Sequence, residues 1–247
     1  MISLDSLWPL PPRELALAEN EIDVWRVRLD ETGRLENLYD DLSPDERLRA
    51  SRFHFQRDRN HFIVARGTLR VILARYLGKH PRQIQFCYSE YGKPALAGQP
   101  VKKGLDFNLS HSHELALYAV TWKRKIGVDV ERIEADFATE EIAERYFSAR
   151  EVAVLRALPP HMQTEAFFNC WTRKEAYIKA IGEGLSHPLD RFDVSLAPDE
   201  PAAILNLEGN PQEAAQWSLR ELAPGRGYAA ALAVRGSGWK LRCWQWH

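Results

Sequence analysis

The chain has 247 residues, 33 Lys and Arg against 34 Asp and Glu, a net charge of −1, 45% hydrophobic residues and 27% charged ones. Such values describe a globular chain of one large or two small domains and exclude disorder, collagen-like repetition and a grossly basic nucleic-acid binder. No apolar run approaches the ~20 residues that cross a bilayer, and the first twenty residues lack the basic start and apolar stretch of a secretory signal, so a cytoplasmic protein is expected. Cys87, Cys170 and Cys243 are too widely spaced for a disulfide framework or a metal knuckle and are expected as buried, reduced thiols.

Residues 1–20, with three prolines and little periodicity, read as an extended leader. EIDVWRVRL alternates, with one slip, through Ile22, Val24, Val27 and Leu29 and predicts a strand. Ser43-Pro44-Asp45-Glu46 is a helix start, with a capping Ser, Pro at the first position and acids in the first turn. The arginine-rich stretch that follows keeps Phe62, Ala65, Leu69, Ile72 and Leu73 at helical spacing and ends at Gly78. IQFCYS predicts a short strand and YGKP a turn. FNLSHSHELALYAVTW predicts strand, tight turn and strand, with Ser110-His111-Ser112-His113 as the turn, and KIGVDVERI another strand. Helices are expected from Thr139 to Ile181 with a break at Pro159-Pro160, followed by five strand-like segments between Gly/Pro turns.

That order predicts an α+β protein of two similar halves packed as a pseudo-dimer with the active site between them. The expected division is a leader at 1–20, an N-terminal half at 21–126 and a C-terminal half at 127–247.

Charge differs between the halves. Residues 1–126 carry 20 basic and 16 acidic side chains, and residues 127–247 carry 13 and 18. Arg47, Arg49, Arg52, Arg57, Arg59, Arg66, Arg70 and Arg75 face only Asp58 within their span and repel one another unless an anion sits among them. Solvated helix faces are the plain alternative. Asp129 and Glu131, at i and i+2 on a strand, point the same way roughly 7 Å apart. A hard divalent cation such as Mg²⁺ would resolve their repulsion; a half-exposed acidic strand face is the alternative. On the helix after Pro160, Glu175 and Lys179 follow Trp171 at one-turn intervals along the edge of an apolar stripe, where they offer a metal ligand and a phosphate contact, or simply an i,i+4 ion pair. The Ser110–His113 segment fits neither a hydrolase elbow nor a zinc site; with Lys93 it offers donors to a phosphate.

Tyr91-Gly92-Lys93-Pro94, Phe107-Asn108-Leu109-Ser110-His111-Ser112, Gly127-Val128-Asp129-Val130-Glu131 and Trp171-Thr172-Arg173-Lys174-Glu175-Ala176-Tyr177-Ile178-Lys179 occur in that order. This series closely resembles the 4′-phosphopantetheinyl transferases of the surfactin-synthetase-activating (Sfp) type, over about Leu42 to Asp193. The resemblance implies transfer of the phosphopantetheine arm of coenzyme A to a serine of an apo acyl or peptidyl carrier protein, with release of 3′,5′-ADP. It implies a monomer serving fatty-acid, nonribosomal-peptide or siderophore synthesis, with no nucleic acid or membrane as partner.

Residue by residue, it implies that Asp129, Glu131 and Glu175 hold Mg²⁺ (Mn²⁺ substituting), and that Lys179 contacts the phosphates and helps the leaving group. Ser110 and His111 would contact the nucleotide phosphates, Lys93 would lie near the adenosine and Arg49 near the 3′-phosphate. Glu151 would lie near the reaction centre, and Glu175, or a metal-bound water backed by Glu131, would take the serine proton. A Mg²⁺-dependent phosphodiesterase or nuclease and a non-catalytic carrier-binding module remain the alternatives.

Overall fold

The computed structural model describes residues 8–99 and 104–247. The N-terminal half contains strand β1 (Glu21–Arg28) and helices α1 (Leu35–Asp40), α2 (Pro44–Ser51) and α3 (Gln56–Leu77). Strands β2 (Phe86–Tyr88), β3 (Pro94–Leu96), β4 (Leu105–Ser112) and β5 (Leu115–Trp122) follow. The C-terminal half opens with β6 (Ile126–Arg132) and continues through α4 (Glu140–Tyr146), α5 (Ala149–Ala157) and α6 (Pro160–Ile181). It closes with β7 (Phe192–Val194), β8 (Ile204–Leu207), α7 (Pro211–Ala214), β9 (Trp217–Leu222), β10 (Tyr228–Arg235) and β11 (Lys240–Gln245).

Local chemistry sets the long elements. The Ser43 hydroxyl and the Glu46 carboxylate close a reciprocal capping box on α2, as the Ser-Pro-Asp-Glu start predicts. Helices α3 and α6 are each 22 residues long and each ends at a left-handed glycine, Gly78 (φ 61°) and Gly182 (φ 84°), a conformation glycine adopts without steric cost. The break at Pro159-Pro160 is the gap between α5 and α6, with Pro160 opening α6 where its missing N–H costs nothing.

Two sheets build the interior. One has the order β11-β1-β5-β4, the other β6-β10-β9. Helix α3 packs on the outer face of the first through Leu69, Ile72 and Leu73, and α6 on the second through Phe167, Ile178 and Ala180. The inner faces meet through Ile22, Val24, Leu117 and Ala119 on one side and Val128, Val130, Leu232 and Val234 on the other. The chain is therefore layered helix, sheet, sheet, helix, and its apolar alternation is spent on that central seam. No described helix is long and apolar enough to cross a membrane.

Four expectations change. Strand β11 pairs in parallel with β1, so the last strand of the expected C-terminal half completes the N-terminal sheet. Arg242 on β11 clasps the fully buried Asp23 through Nε (2.6 Å) and Nη2 (2.9 Å), and Tyr76 donates to the same carboxylate at 2.5 Å. The leader is tied down where described: Trp8 is buried in the central seam and donates to the Ala223 carbonyl at 2.7 Å; residues 1–7 lie outside the described part. Ser110, His111 and Ser112 belong to β4 itself; the reversal comes at His113-Glu114, with His113 at φ 53°. Of the cysteines, only Cys170 is buried, whereas Cys87 is exposed on β2 and Cys243 is partly covered; all three are free thiols.

Candidate active site

The site begins where the two sheets abut along β4 and β6. Asn108, Ser110 and Ser112 alternate along β4 and all reach β6: Asn108 Oδ1 accepts from Val128 N–H (2.9 Å), Ser110 Oγ donates to Asp129 Oδ1 (2.8 Å), and Ser112 Oγ accepts from Arg132 N–H (3.1 Å). A period of two puts every second side chain on one side, which explains the N-x-S-x-S pattern. On β6 the same alternation sends Val128 and Val130 into the seam and turns Gly127, Asp129 and Glu131 the other way. A Cβ at Gly127 would stand 2.0 Å from the Ala176 carbonyl and 2.4 Å from the Ala180 nitrogen. Only glycine there lets α6 lie directly on β6.

That close crossing brings Lys179 onto Asp129. The ammonium donates to Asp129 Oδ1 at 2.6 Å and to Ser110 Oγ at 2.8 Å. Asp129 is 1% exposed, and its second oxygen, Oδ2, is buried with no hydrogen-bond partner. Burial alone would lower the Lys179 pKa, but Asp129, Glu175 and Glu131 together hold it above the ordinary lysine range. Desolvation, then repulsion from Asp129, raises Glu131 and lifts Glu175 to about 7.

The raised Glu175 pKa carries a stability consequence. The folded protein binds a proton at Glu175 that the unfolded chain releases above its ordinary value near 4.5, so this stability is present below about 4.5 and lost as pH rises through about 7. Glu175→Gln is therefore expected to raise the Tm of the ligand-free protein at pH 8, with the difference shrinking toward pH 4.5. Equal melting curves at both pH values would contradict that linkage.

A cleft of about 700 Å³ opens between α2, α3 and β4 on one side and α6 on the other. Arg49, His61, Arg66 and Lys93 line it, with His111 from the end of β4, Glu175 and Lys179 from α6, and Gly182 from its cap. Arg49 lies over the Phe62 ring, 5.2 Å from its centroid. His111 alternates with Ser110 and so faces the cleft; desolvation and the nearby Lys179 charge hold its imidazole below the ordinary range. Sequence reasoning brought Arg49, His111, Glu175 and Lys179 to this cleft but missed His61 and the aromatic wall of Phe53, Phe62, Tyr88 and Tyr91. Phe53, Tyr88 and Tyr91 stay exposed, and nothing in the alternation of a short strand or a turn marks an aromatic as cleft-lining.

Three sets of charged side chains find partners within the protein. Glu151 is 1% exposed and its carboxylate is consumed by structure: Oε2 accepts from Ser148 N–H (2.8 Å) and pairs with Lys174 (2.7 Å), while Oε1 accepts from Val194 N–H (2.7 Å). It caps α5 and neutralises a buried lysine, and it does not line the cleft. Lys93 lines the cleft, and its ammonium donates to the Ile126 carbonyl (3.1 Å) and the Ala180 carbonyl (3.3 Å). Four of the eight clustered arginines pair with carboxylates: Arg70 (2.6 Å) and Arg66 (3.5 Å) with Glu46, Arg57 with Glu114 (2.6 Å), and Arg47 with Asp40 (3.8 Å). Glu46 and Glu114 lie outside the span that looked short of acids.

Among the described residues no three His, Cys, Asp or Glu side chains form a ready metal cage. The donor chemistry nevertheless fits a hard cation, because Asp129 Oδ2 is a buried anionic oxygen without a partner and Glu131 and Glu175 repel it. Mg²⁺ needs few protein oxygens when phosphate oxygens and water complete its shell.

The chain resembles known proteins over nearly its whole length. Residues 125–233 match the family model described as the 4′-phosphopantetheinyl transferase superfamily, and residues 30–123 match that of the 4′-phosphopantetheinyl transferase N-terminal region. The chain is 42% identical over 244 residues to the 4′-phosphopantetheinyl transferase HetI of Nostoc sp., covering 98% of this chain and 100% of that one. It is 34% identical over 163 residues to the 4′-phosphopantetheinyl transferase Sfp of Bacillus subtilis, covering 66% and 70% of the two chains. A solved holo-acyl-carrier-protein synthase of Helicobacter pylori, in complex with coenzyme A, matches 45% of this chain and 99% of its own at 19% identity and a TM-score of 0.34.

Proposed function

The chain belongs to the 4′-phosphopantetheinyl transferase superfamily, and on that premise we propose how its cleft carries out the transfer. The protein is an enzyme that moves the 4′-phosphopantetheine arm of coenzyme A to a serine hydroxyl of an apo carrier protein and releases 3′,5′-ADP. The serine oxygen attacks the β-phosphorus, the bond from that phosphorus to the bridging oxygen breaks, and charge moves onto the departing nucleotide phosphate.

One observation carries the residue assignments: the Lys179–Asp129–Ser110 cluster, with an orphaned Asp129 oxygen, stands at the wall of a cleft lined by Arg49 and His111. Lys179 holds positive charge close to the pyrophosphate and meets the charge that develops on the leaving oxygen. Ser110 and Asp129 orient the Lys179 ammonium so that little reorganisation accompanies the reaction. Arg49 and His111 bind the nucleotide phosphates, and His111 gains a proton more readily once a phosphate dianion lies beside it. Glu175, titrating near neutrality, takes the serine proton, with Glu131 as the second candidate. Asp129, Glu131 and Glu175 would hold Mg²⁺ (or Mn²⁺), which when bound supplies charge neutralisation at the phosphate oxygens.

We further assign the chain to the Sfp-type branch, on the four motifs and on the 34% identity to Sfp, and take it to act as a cytoplasmic monomer on acyl or peptidyl carrier proteins. The test is direct. Purified protein, coenzyme A and Mg²⁺ are incubated with several apo carriers, and intact mass should rise by one phosphopantetheinyl group on the carrier serine. No mass gain on any carrier, with coenzyme A left intact, would defeat the reading.

A further inference from the structure

We propose that Lys93 is a positioning residue that pins β6 to the end of α6, and not a contact to the nucleotide. The inference rests on the transferase reading of the cleft.

The geometry is particular. The Lys93 ammonium donates to one carbonyl on each of two elements, Ile126 at the start of β6 and Ala180 in the last turn of α6. Its stem passes over Gly182, whose missing Cβ would stand 3.5 Å from Lys93 Cδ. Ala180 O is one of the four carbonyls that the end of a helix leaves without an intrahelical donor, and a cation there also meets the negative end of the helix dipole. The two carbonyls flank the crossing at Gly127, where β6 and α6 come closest.

These same elements carry the working groups. Asp129 and Glu131 lie three and five residues along β6 from Ile126; Lys179 immediately precedes Ala180, and Glu175 lies one turn further back. A shift at the pinned end therefore changes how the Lys179 ammonium meets Asp129. Displacements of about 1 Å in a reacting constellation cost up to ~10²-fold in rate. An ammonium already engaged by two carbonyls and largely desolvated has little left to offer a phosphate, and releasing it would leave both carbonyls unpaired.

Lys93→Met keeps the apolar stem and removes the charge. Its kcat for carrier loading should fall roughly 10- to 100-fold, with KM for coenzyme A and the Kd for 3′,5′-ADP changed less than about threefold. Lys93→Arg, which keeps the positive charge and several N–H donors, should recover most of the lost kcat. A variant-free measurement covers the case in which Lys93→Met fails to fold. Reductive methylation of the wild-type protein, read by peptide mass spectrometry, should modify Lys93 slowly and at the same rate with and without 3′,5′-ADP.

A rise in KM and in the 3′,5′-ADP Kd with kcat retained, or protection of Lys93 that depends on 3′,5′-ADP, would make Lys93 a substrate contact and overturn the proposal. Unchanged kinetics in Lys93→Met would overturn it as well. A wild-type protein that transfers nothing to any carrier would instead count against the transferase reading; Lys93 methylation tracking 3′,5′-ADP would still be decisive for the inference.

Discussion

Lys179→Ala is expected to lower kcat for carrier loading by roughly 10²–10³-fold, the scale of removing one donor aimed at developing charge. The ammonium sits 2.6 Å from Asp129 Oδ1 and 2.8 Å from Ser110 Oγ, so its place is set before substrate arrives. Asp129→Ala should be at least as severe, because it removes both the anchor of Lys179 and the buried unpartnered oxygen best suited to a cation. Both variants should retain some affinity for coenzyme A through Arg49 and His111, so KM should move less than kcat. The measurement is steady-state loading of an apo carrier with coenzyme A varied at several Mg²⁺ concentrations. Full rescue of Asp129→Ala by excess Mg²⁺ would reduce its role to metal affinity. A Lys179→Ala variant changed only in KM would remove Lys179 from the transfer step.

The second large effect is on stability. Lys174 is 0% exposed, pairs with Glu151 at 2.7 Å, and donates to the Leu189 (2.7 Å) and Phe192 (2.6 Å) carbonyls, with its ammonium 4.3 Å from the Phe192 ring centroid. Removing one partner of such a pair leaves an uncompensated buried charge and typically costs about 3–5 kcal/mol. Lys174→Ala would in addition orphan two carbonyls where the chain turns from α6 into β7. A chain of this size should lose roughly 6–20 °C in Tm, read by calorimetry or circular dichroism. Glu151→Gln keeps the Ser148 and Val194 contacts in part and should cost less. A Lys174→Ala protein melting within a degree or two of the wild type would show that the pair is not the structural centre described above.

Both predictions start from the segment Trp171–Lys179, and they separate two neighbouring residues that sequence spacing treats alike. Lys174 and Glu175 are adjacent in the motif, yet one is sealed in the interior and the other faces the cleft. A helix turns about 100° per residue, so adjacent positions must face different surroundings. Which surroundings each meets depends on what packs against α6. The same reasoning explains Glu151: the capping-box spacing from Ser148 was present in the sequence, and a cap is what the residue forms.

Much of the local structure follows from the amino-acid order alone. The Ser43-Pro44 helix start, the stops at Gly78 and Gly182, the break before Pro160 and the alternation of β6 all rest on backbone sterics and side-chain period, which act over a few residues. The shared face of Asp129 and Glu131 was legible for the same reason, as was the one-turn spacing of Glu175 and Lys179. Tertiary structure alone decided the partners. Nothing local announces that Glu46 and Glu114 serve the arginines, that Lys93 reaches two carbonyls 33 and 87 residues away, or that β11 returns to β1. Periodicity tells which way a side chain points, but a buried charge is bound to the nearest satisfying group in space, and that group is chosen by how sheets and helices stack.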